Sequence, residues 1–264
     1  MSSVWSDSVK IPKFPSLKSN IETDVLIIGG GMSGILCAYM LKQAGVDYTL
    51  VEATQICQGI TKNTTAKITS QHGLIYDKLI KSVGVEKAAL YLQANQEAIK
   101  VYKHLCSKIK CDFEEKDSYV YSLDNSEKIL KEIDALKKIN FDVEFVKEVP
   151  LPFDIAGAVK FPKQAQFNPL KFISEISKGL NIFENTTVMQ MKENEAITDN
   201  GIIKANKIIV VTHFPFINKH GSYFLKMYQH RSYVIALENA PDVNGMYIDE
   251  AQCGMSLETM ITYY

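Results

Sequence analysis

Residues 24–34 read Asp-Val-Leu-Ile-Ile-Gly-Gly-Gly-Met-Ser-Gly, and Glu52 follows. No other stretch constrains the fold as much. Val25 to Ile28 is continuously apolar, the pattern of a central parallel strand covered on both faces. Gly29, Gly31 and Gly34 have the G-x-G-x-x-G spacing. The first glycine allows a tight turn, the second lets backbone approach a diphosphate, and the third lets helix and strand pack closely. Ile35, Leu36, Ala38, Tyr39, Met40 and Leu41 predict the helix that follows, and Gly45 predicts its end. Tyr48 to Val51 predicts a second strand, joined to the first by a right-handed crossover. Glu52 then stands at that strand's end, where a carboxylate can accept ribose hydroxyls. Such a charged hydrogen bond is worth about 1.5–3 kcal/mol. The acid also disfavours a 2′-phosphate, so NADP is not expected. The unit predicts an adenine-dinucleotide site with Gly29, Gly31, Met32, Ser33, Gly34 and Glu52 around the ligand.

The chain has 264 residues, enough for one large or two ordinary domains. A net charge of −1 favours neither nucleic acid nor an anionic membrane as partner. There is no run of about 18 apolar residues and no charged-then-apolar start, which predicts no membrane span and no signal peptide. The five cysteines form no CxxC pair, and an odd, scattered set fits a reducing cytoplasm. No His/Cys set has metal-ligand spacing, so no metal site is expected.

Residues 1–20 read as an extended polar arm that Trp5 and Phe14 could tack onto the body. Residues 53–73 lack a period and predict a long ordered loop, a kind that is usually functional. Residues 74–110 predict two helices. Residues 111–165 mix strand and helix patterns and predict an inserted α+β layer, which 223–237 and 246–248 extend with further strands. Asp199-Asn200-Gly201 between apolar runs predicts a hairpin. Ile208 to Val211 predicts a fully buried parallel strand. The fold class is therefore α/β: a Rossmann-like FAD/NAD(P)-binding domain (20–110 and 166–222) with an inserted α+β substrate domain (111–165 and 223–264).

The loop from Gly59 to Gly73 alternates hydroxyl, amide and ammonium groups. It could wrap a diphosphate and a flavin ring, or it could be a solvated polar loop. Several stretches resemble the D-amino-acid-oxidase-like flavoproteins, the glycine and sarcosine oxidase superfamily, and within it the branch with a C-terminal Rieske domain. These are the glycine turn, residues 63–77 (Asn-Thr-Thr-Ala-Lys-Ile-Thr-Ser-Gln-His-Gly-Leu-Ile-Tyr-Asp), 164–171 (Gln-Ala-Gln-Phe-Asn-Pro-Leu-Lys), 212–216 (Thr-His-Phe-Pro-Phe) and 227–233 (Met-Tyr-Gln-His-Arg-Ser-Tyr). The resemblance implies FAD on the first βαβ unit, with Thr61, Asn63, Thr64, Thr65 and Ala66 along the diphosphate and flavin. It puts Val188 by the adenine through its backbone, and Thr212 and His213 close to the cofactor. It implies oxidation of a C–N bond of a small-molecule amine or amino acid by hydride transfer to flavin, with the electron acceptor left open. Lys67, His72 and Arg231 are the candidate catalytic residues: Lys67 beside the flavin or a solvated lysine, His72 lining the site or a hydrogen-bonded structural histidine, Arg231 on a substrate carboxylate or in a structural salt bridge.

The resemblance also implies a C-terminally truncated product. The family's third cofactor segment, a strand and glycine-rich turn near the C-terminus, is not reached by residue 264, and residues 256–264 depart from the family's pattern. Restoring one thymine in a plausible codon set would read Ser-Phe-Arg-Asn-Tyr-Asp from 256 onward, which fits that pattern. Weak FAD retention is the expectation that follows. The alternatives are an NAD-dependent dehydrogenase with the same first motif and a non-catalytic remnant or binding module.

Overall fold

The computed structural model describes residues 3–217, 222–230, 232–251 and 254–260. The chain forms two compact units, Met1–Thr65 with Pro169–Ala236, and Ala66–Asn168 with Leu237–Tyr264. The first unit opens with β1 (Ile21–Ile28), α1 (Met32–Gln43) and β2 (Tyr48–Val51). The second carries β3 (Lys67–Ile68), α2 (Tyr76–Val83), α3 (Val85–Cys106), β4 (Glu114–Ser122), α4 (Glu127–Lys138), β5 (Glu144–Val146) and β6 (Gly157–Gln166). The chain then re-enters the first unit as α5 (Pro169–Ile176), β7 (Ile182–Phe183), β8 (Val188–Lys192), β9 (Glu195–Thr198), β10 (Gly201–Val210) and the short α6 (Tyr223–Lys226). It ends in the second unit with β11 (Met246–Asp249) and β12 (Ser256–Glu258).

The first unit's sheet runs β7-β2-β1-β10-β9-β8, with β7, β2, β1 and β10 parallel and β9 and β8 antiparallel. As expected of a central strand, Val25 to Ile28 are all buried. Leu26, Ile28, Val51, Ile203 and Ala205 form a core with Leu17 from the N-terminal arm. Each such aliphatic side chain contributes about 1.5–3 kcal/mol when fully buried. The β9–β10 hairpin turns on Asp199-Asn200, with Thr198 opposite Gly201. The strand at 208–210 is parallel to β1 but not fully buried: Ile208 and Ile209 are half-buried and Val210 is 39% exposed. Full burial needs a helix over each face, and α1 packs on β1 and β2.

The second unit's sheet runs β12-β11-β4-β6-β3, with β5 also paired to β6. The helices at 74–110 lie in this unit, although the sequence assigned them to the first. The reason is packing: Tyr76, Ala88 and Leu92 share a buried core with Val120, Ile129, Ile133, Leu136 and Phe161. The boundary accordingly falls at Thr65, ahead of position 110.

The strands expected over 223–237 do not form among the described residues. Tyr223–Lys226 is helical and the described residues from 227 to 237 are irregular, whereas the expected strand at 246–248 is present as part of β11. A period-two pattern becomes a strand only where a sheet edge offers it partners.

Candidate functional site

The β1–α1 turn is shaped by its glycines. Gly29 has φ +116°, a conformation that glycine alone adopts readily, and its N–H donates to the Val51 carbonyl at 2.9 Å. A Cβ on Gly34 would lie 1.9 Å from the Gly29 carbonyl oxygen, so only glycine fits there. Gly31 differs. The nearest atom to a Cβ at that position is Thr61 Oγ1, at 3.5 Å, so there is room for a ligand to approach its backbone.

Gly31 is also the N-cap of α1. It is extended, makes no side-chain cap, and no acid stands in the helix's first turn. The leading amides of a helix have no partner within it, and they carry the positive end of its dipole. Met32 N–H donates to Thr61 Oγ1 at 3.0 Å, and Ser33 is exposed. Among the described residues no carboxylate bonds the amides of α1's first turn, so the arrangement can accept an anionic group such as a diphosphate.

Glu52 ties this turn to the next loop. Its Oε2 accepts Gly30 N–H at 2.7 Å, and its Oε1 accepts Thr54 N–H at 3.0 Å and Thr54 Oγ1 at 3.2 Å. A carboxylate offers about four lone-pair sites. Three bonds therefore leave capacity for one more donor, such as a ribose hydroxyl.

Two residues beneath the turn went unnoticed in the sequence. Cys57 holds φ +60° and its N–H donates to the Gly30 carbonyl at 2.9 Å. Burial, helped by Glu52 and Glu184, pushes its thiol up to about 12 against a smaller opposing bond to Thr61. It stays protonated and acts as packing, not as a nucleophile. Glu184 is 2% exposed and accepts Ile56 N–H at 2.9 Å and Phe14 N–H at 3.1 Å. No local pattern marks it, because its partners lie more than a hundred residues away.

The loop after Glu52 contains a 3-10 turn at Ile60–Asn63. Thr61 is buried, Asn63 is exposed and donates from Nδ2 to the Gly59 carbonyl at 3.1 Å, and Thr64 and Thr65 are half-buried. Ala66, first residue of the second unit, is buried with φ +58°. Thr212 lies beside the glycine turn: its amide nitrogen would be 3.2 Å from a Cβ on Gly29. Its hydroxyl donates to the Phe214 carbonyl at 3.0 Å, while His213 is exposed. Val188 opens β8, half-buried against the first unit's core, at an irregularity in the ladder. The structure therefore gathers Gly29, Gly31, Met32, Gly34, Glu52, Thr61 and Thr212 around one turn.

The candidate catalytic residues are not gathered in this way. Lys67 is in the second unit, where its ammonium contacts Glu258 at 2.7 Å and Ser256 Oγ at 3.0 Å. Burial pushes the Glu258 carboxyl up, and Lys67 pulls it back. Lys67 and Glu258 sit on opposite edge strands. Four strand spacings would hold those edges about 19 Å apart in a flat sheet, so this sheet must curl. His72 is exposed, and its Nδ1 is 2.8 Å from the Tyr91 hydroxyl. Arg231 lies outside the described residues.

A family profile described as FAD dependent oxidoreductase (DAO) matches residues 24–259. The chain is 36% identical over 267 residues to a Bacillus subtilis protein named putative Rieske 2Fe-2S iron-sulfur protein YhfW. That match covers 96% of this chain and 52% of the relative, so the chain spans about half the relative's length. It is also 30% identical over 81 residues to Escherichia coli gamma-glutamylputrescine oxidoreductase, covering 31% of this chain and 19% of that protein. Among solved structures, glycine oxidase from Geobacillus kaustophilus superposes with a TM-score of 0.61 at 16% identity, over 72% of this chain and 55% of the oxidase. L-proline dehydrogenase from P. horikoshii gives 0.63 at 18% identity, over 89% of this chain and 65% of the enzyme. At such identities the structures speak for the fold, and the profile, which spans nearly the whole sequence, speaks for descent: the chain belongs to the DAO family of FAD dependent oxidoreductases.

Proposed function

We propose that the chain binds FAD and is the cofactor-binding part of an oxidoreductase acting on a C–N bond of an amino acid or small amine. The observation that carries this reading is the N-terminus of α1 over Gly31, which has no acid in its first turn and only the Thr61 hydroxyl on its first amide, with Glu52 beside it. The diphosphate takes the backbone of Gly31, Met32 and Ser33, with Gly29 and Gly34 holding the turn. The ribose takes the remaining acceptor capacity of Glu52, and the adenine lies by the Val188 backbone. The loop from Thr61 through Asn63, Thr64 and Thr65 toward Ala66 follows the diphosphate and flavin, with Thr212 and His213 nearby. An acid at position 52 repels a 2′-phosphate.

Bound FAD supplies the two-electron acceptor; the chain's own residues bind, orient and exclude water. Lys67 and His72 already have protein partners, which favours supporting roles in the second unit. Arg231 is the proposed partner of a substrate carboxylate, a pairing that suits its planar fork of donors. The relatives described above are named for glycine, L-proline and gamma-glutamylputrescine, which supports amino acids and amines as the substrate class.

The test is the absorption spectrum of the purified chain after incubation with FAD and gel filtration. Flavin bands above those of a protein-free control, with the cofactor partly lost on the column and the bound fraction bleached anaerobically by an amino acid or amine, are the expected result. Protection from heat by NAD and none by FAD would favour a nicotinamide-dependent enzyme and overturn the proposal.

A further inference from the structure

The N-terminal arm is strapped along the first unit by bonds that begin and end far from one another in sequence. Leu17 is buried, and its N–H donates to Thr186 Oγ1 at 3.1 Å. Glu184 N–H donates to the Pro15 carbonyl at 2.9 Å, and Phe14 N–H returns a bond to the Glu184 carboxylate. Ser174 Oγ donates to the Lys10 carbonyl at 3.3 Å. The strap then reaches the loop that carries the candidate cofactor contacts. Trp5 is 5% exposed and its indole N–H donates to the Thr64 carbonyl at 2.8 Å. The Ser3 hydroxyl donates to the Lys62 carbonyl. Beside these contacts arm and loop line a half-open pocket of about 310 Å³, with Val9, Pro12, Ile56 and Lys62 in its wall.

The two bonds fall where the loop needs donors. Ile60–Asn63 is a 3-10 turn with Thr64 as its C-cap, and the last carbonyls of such a turn have no partner within it. The arm provides those partners and fixes the loop's course after Thr61, whose hydroxyl holds the first amide of α1. A loop ordered before binding spares the ligand the cost of ordering it.

We propose that Trp5 is a positioning residue for the cofactor: through its indole N–H it presets the loop at 61–65 for FAD. The proposal rests on the FAD reading above. It predicts that the arm and the cofactor are coupled. The diphosphate is also gripped by the glycine turn, so ADP depends less on Trp5 than FAD does.

The experiment uses the whole chain, wild type and Trp5→Phe, with Trp5→Ala as a more severe variant. Phenylalanine keeps an aromatic in the buried site and removes only the donor. FAD and ADP affinities are measured by titration, and melting temperatures are recorded alongside. Trp5 is the chain's single tryptophan, so its emission in the wild type reports on the arm without labelling. The expected result is a loss of FAD affinity in Trp5→Phe of about three- to tenfold, the value of one buried hydrogen bond, with a smaller change for ADP. Wild-type tryptophan emission is expected to fall as FAD binds, and trypsin is expected to cut faster after Lys62 in the variant. Equal losses for FAD and ADP would make Trp5 a general support and overturn the proposal. FAD binding that is unchanged in both variants would overturn it as well. Failure of the wild-type chain to bind FAD would overturn the underlying functional reading, and this coupling with it.

Discussion

Gly31 and Gly34 lie three residues apart and are glycines for different reasons. At Gly34 a methyl group would press on the Gly29 carbonyl oxygen at 1.9 Å, and that oxygen is backbone, which resists movement. Overpacking of that kind costs about 1–3 kcal/mol, and the clash with backbone puts Gly34→Ala at the upper end. At Gly31 a Cβ meets only ordinary contact and φ is −80°, so alanine fits the folded chain. Changing a glycine N-cap to alanine costs less than about 1 kcal/mol. The two variants should therefore separate folding from binding. Gly34→Ala lowers the denaturant midpoint and loses FAD. Gly31→Ala keeps most of the stability and still weakens FAD, because its Cβ occupies the space left for the diphosphate. Chemical denaturation with a parallel flavin titration distinguishes these outcomes.

At the scale of elements, α2 is capped by another helix. Its own N-cap residue, Ile75, offers no side-chain bond. Glu132 of α4 takes the role instead: Oε1 accepts the N–H groups of Ile75 and Tyr76, both at 2.8 Å, and Oε2 accepts that of Asp77 at 2.9 Å. Glu132→Ala leaves three donors unpaired and should cost about 1–3 kcal/mol. The capping also has a pH signature. Burial raises the Glu132 carboxyl above its ordinary value of 4.5, and the three amide bonds lower it only in part. The folded state then holds the proton more tightly than the unfolded chain. Stability from this group is fully present below the ordinary value and is lost as pH rises through the raised one. The melting-temperature difference between wild type and Glu132→Gln should accordingly decline as pH is raised from 4.5. A flat or rising difference would contradict the assignment.

For the molecule as a whole, the stretch from Tyr223 to Leu237 matters most. Leu225 is 75% exposed, Tyr233 87% and Ile235 83%. Large apolar side chains left this exposed favour association with one another or with a partner. The isolated chain should bind an apolar dye such as ANS and associate as its concentration rises. Leu225→Lys with Ile235→Lys should reduce both effects and leave the melting temperature nearly unchanged, since neither side chain is packed. Dye fluorescence with sedimentation checks this, and an unaltered signal in the double variant would count against it. Among the described residues, no helix is long and apolar enough to cross a membrane.

The first βαβ unit was legible in the sequence because all its determinants are local. An apolar run, three glycines at fixed spacing, a helix pattern and an acid at the next strand's end fall within 29 residues, from Asp24 to Glu52. The same holds for the β9–β10 hairpin, where Asn200-Gly201 dictates the turn. Partnership across distance was not legible. Lys67 reads as a flavin-side or solvated cation until Glu258 comes within 2.7 Å of it, and nothing near Ile75 reveals that Glu132 caps α2. The apolar periods of α2 and α3 fix helices and an apolar stripe but not the sheet that stripe covers, so their unit was decided by packing alone. The strands expected over 223–237 do not form among the described residues for the converse reason: a strand's ladder bonds belong to its neighbour as much as to itself. Local geometry follows from backbone sterics and residue type and is written in sequence order. Which buried groups meet follows from close packing in three dimensions, and only the tertiary structure decided that.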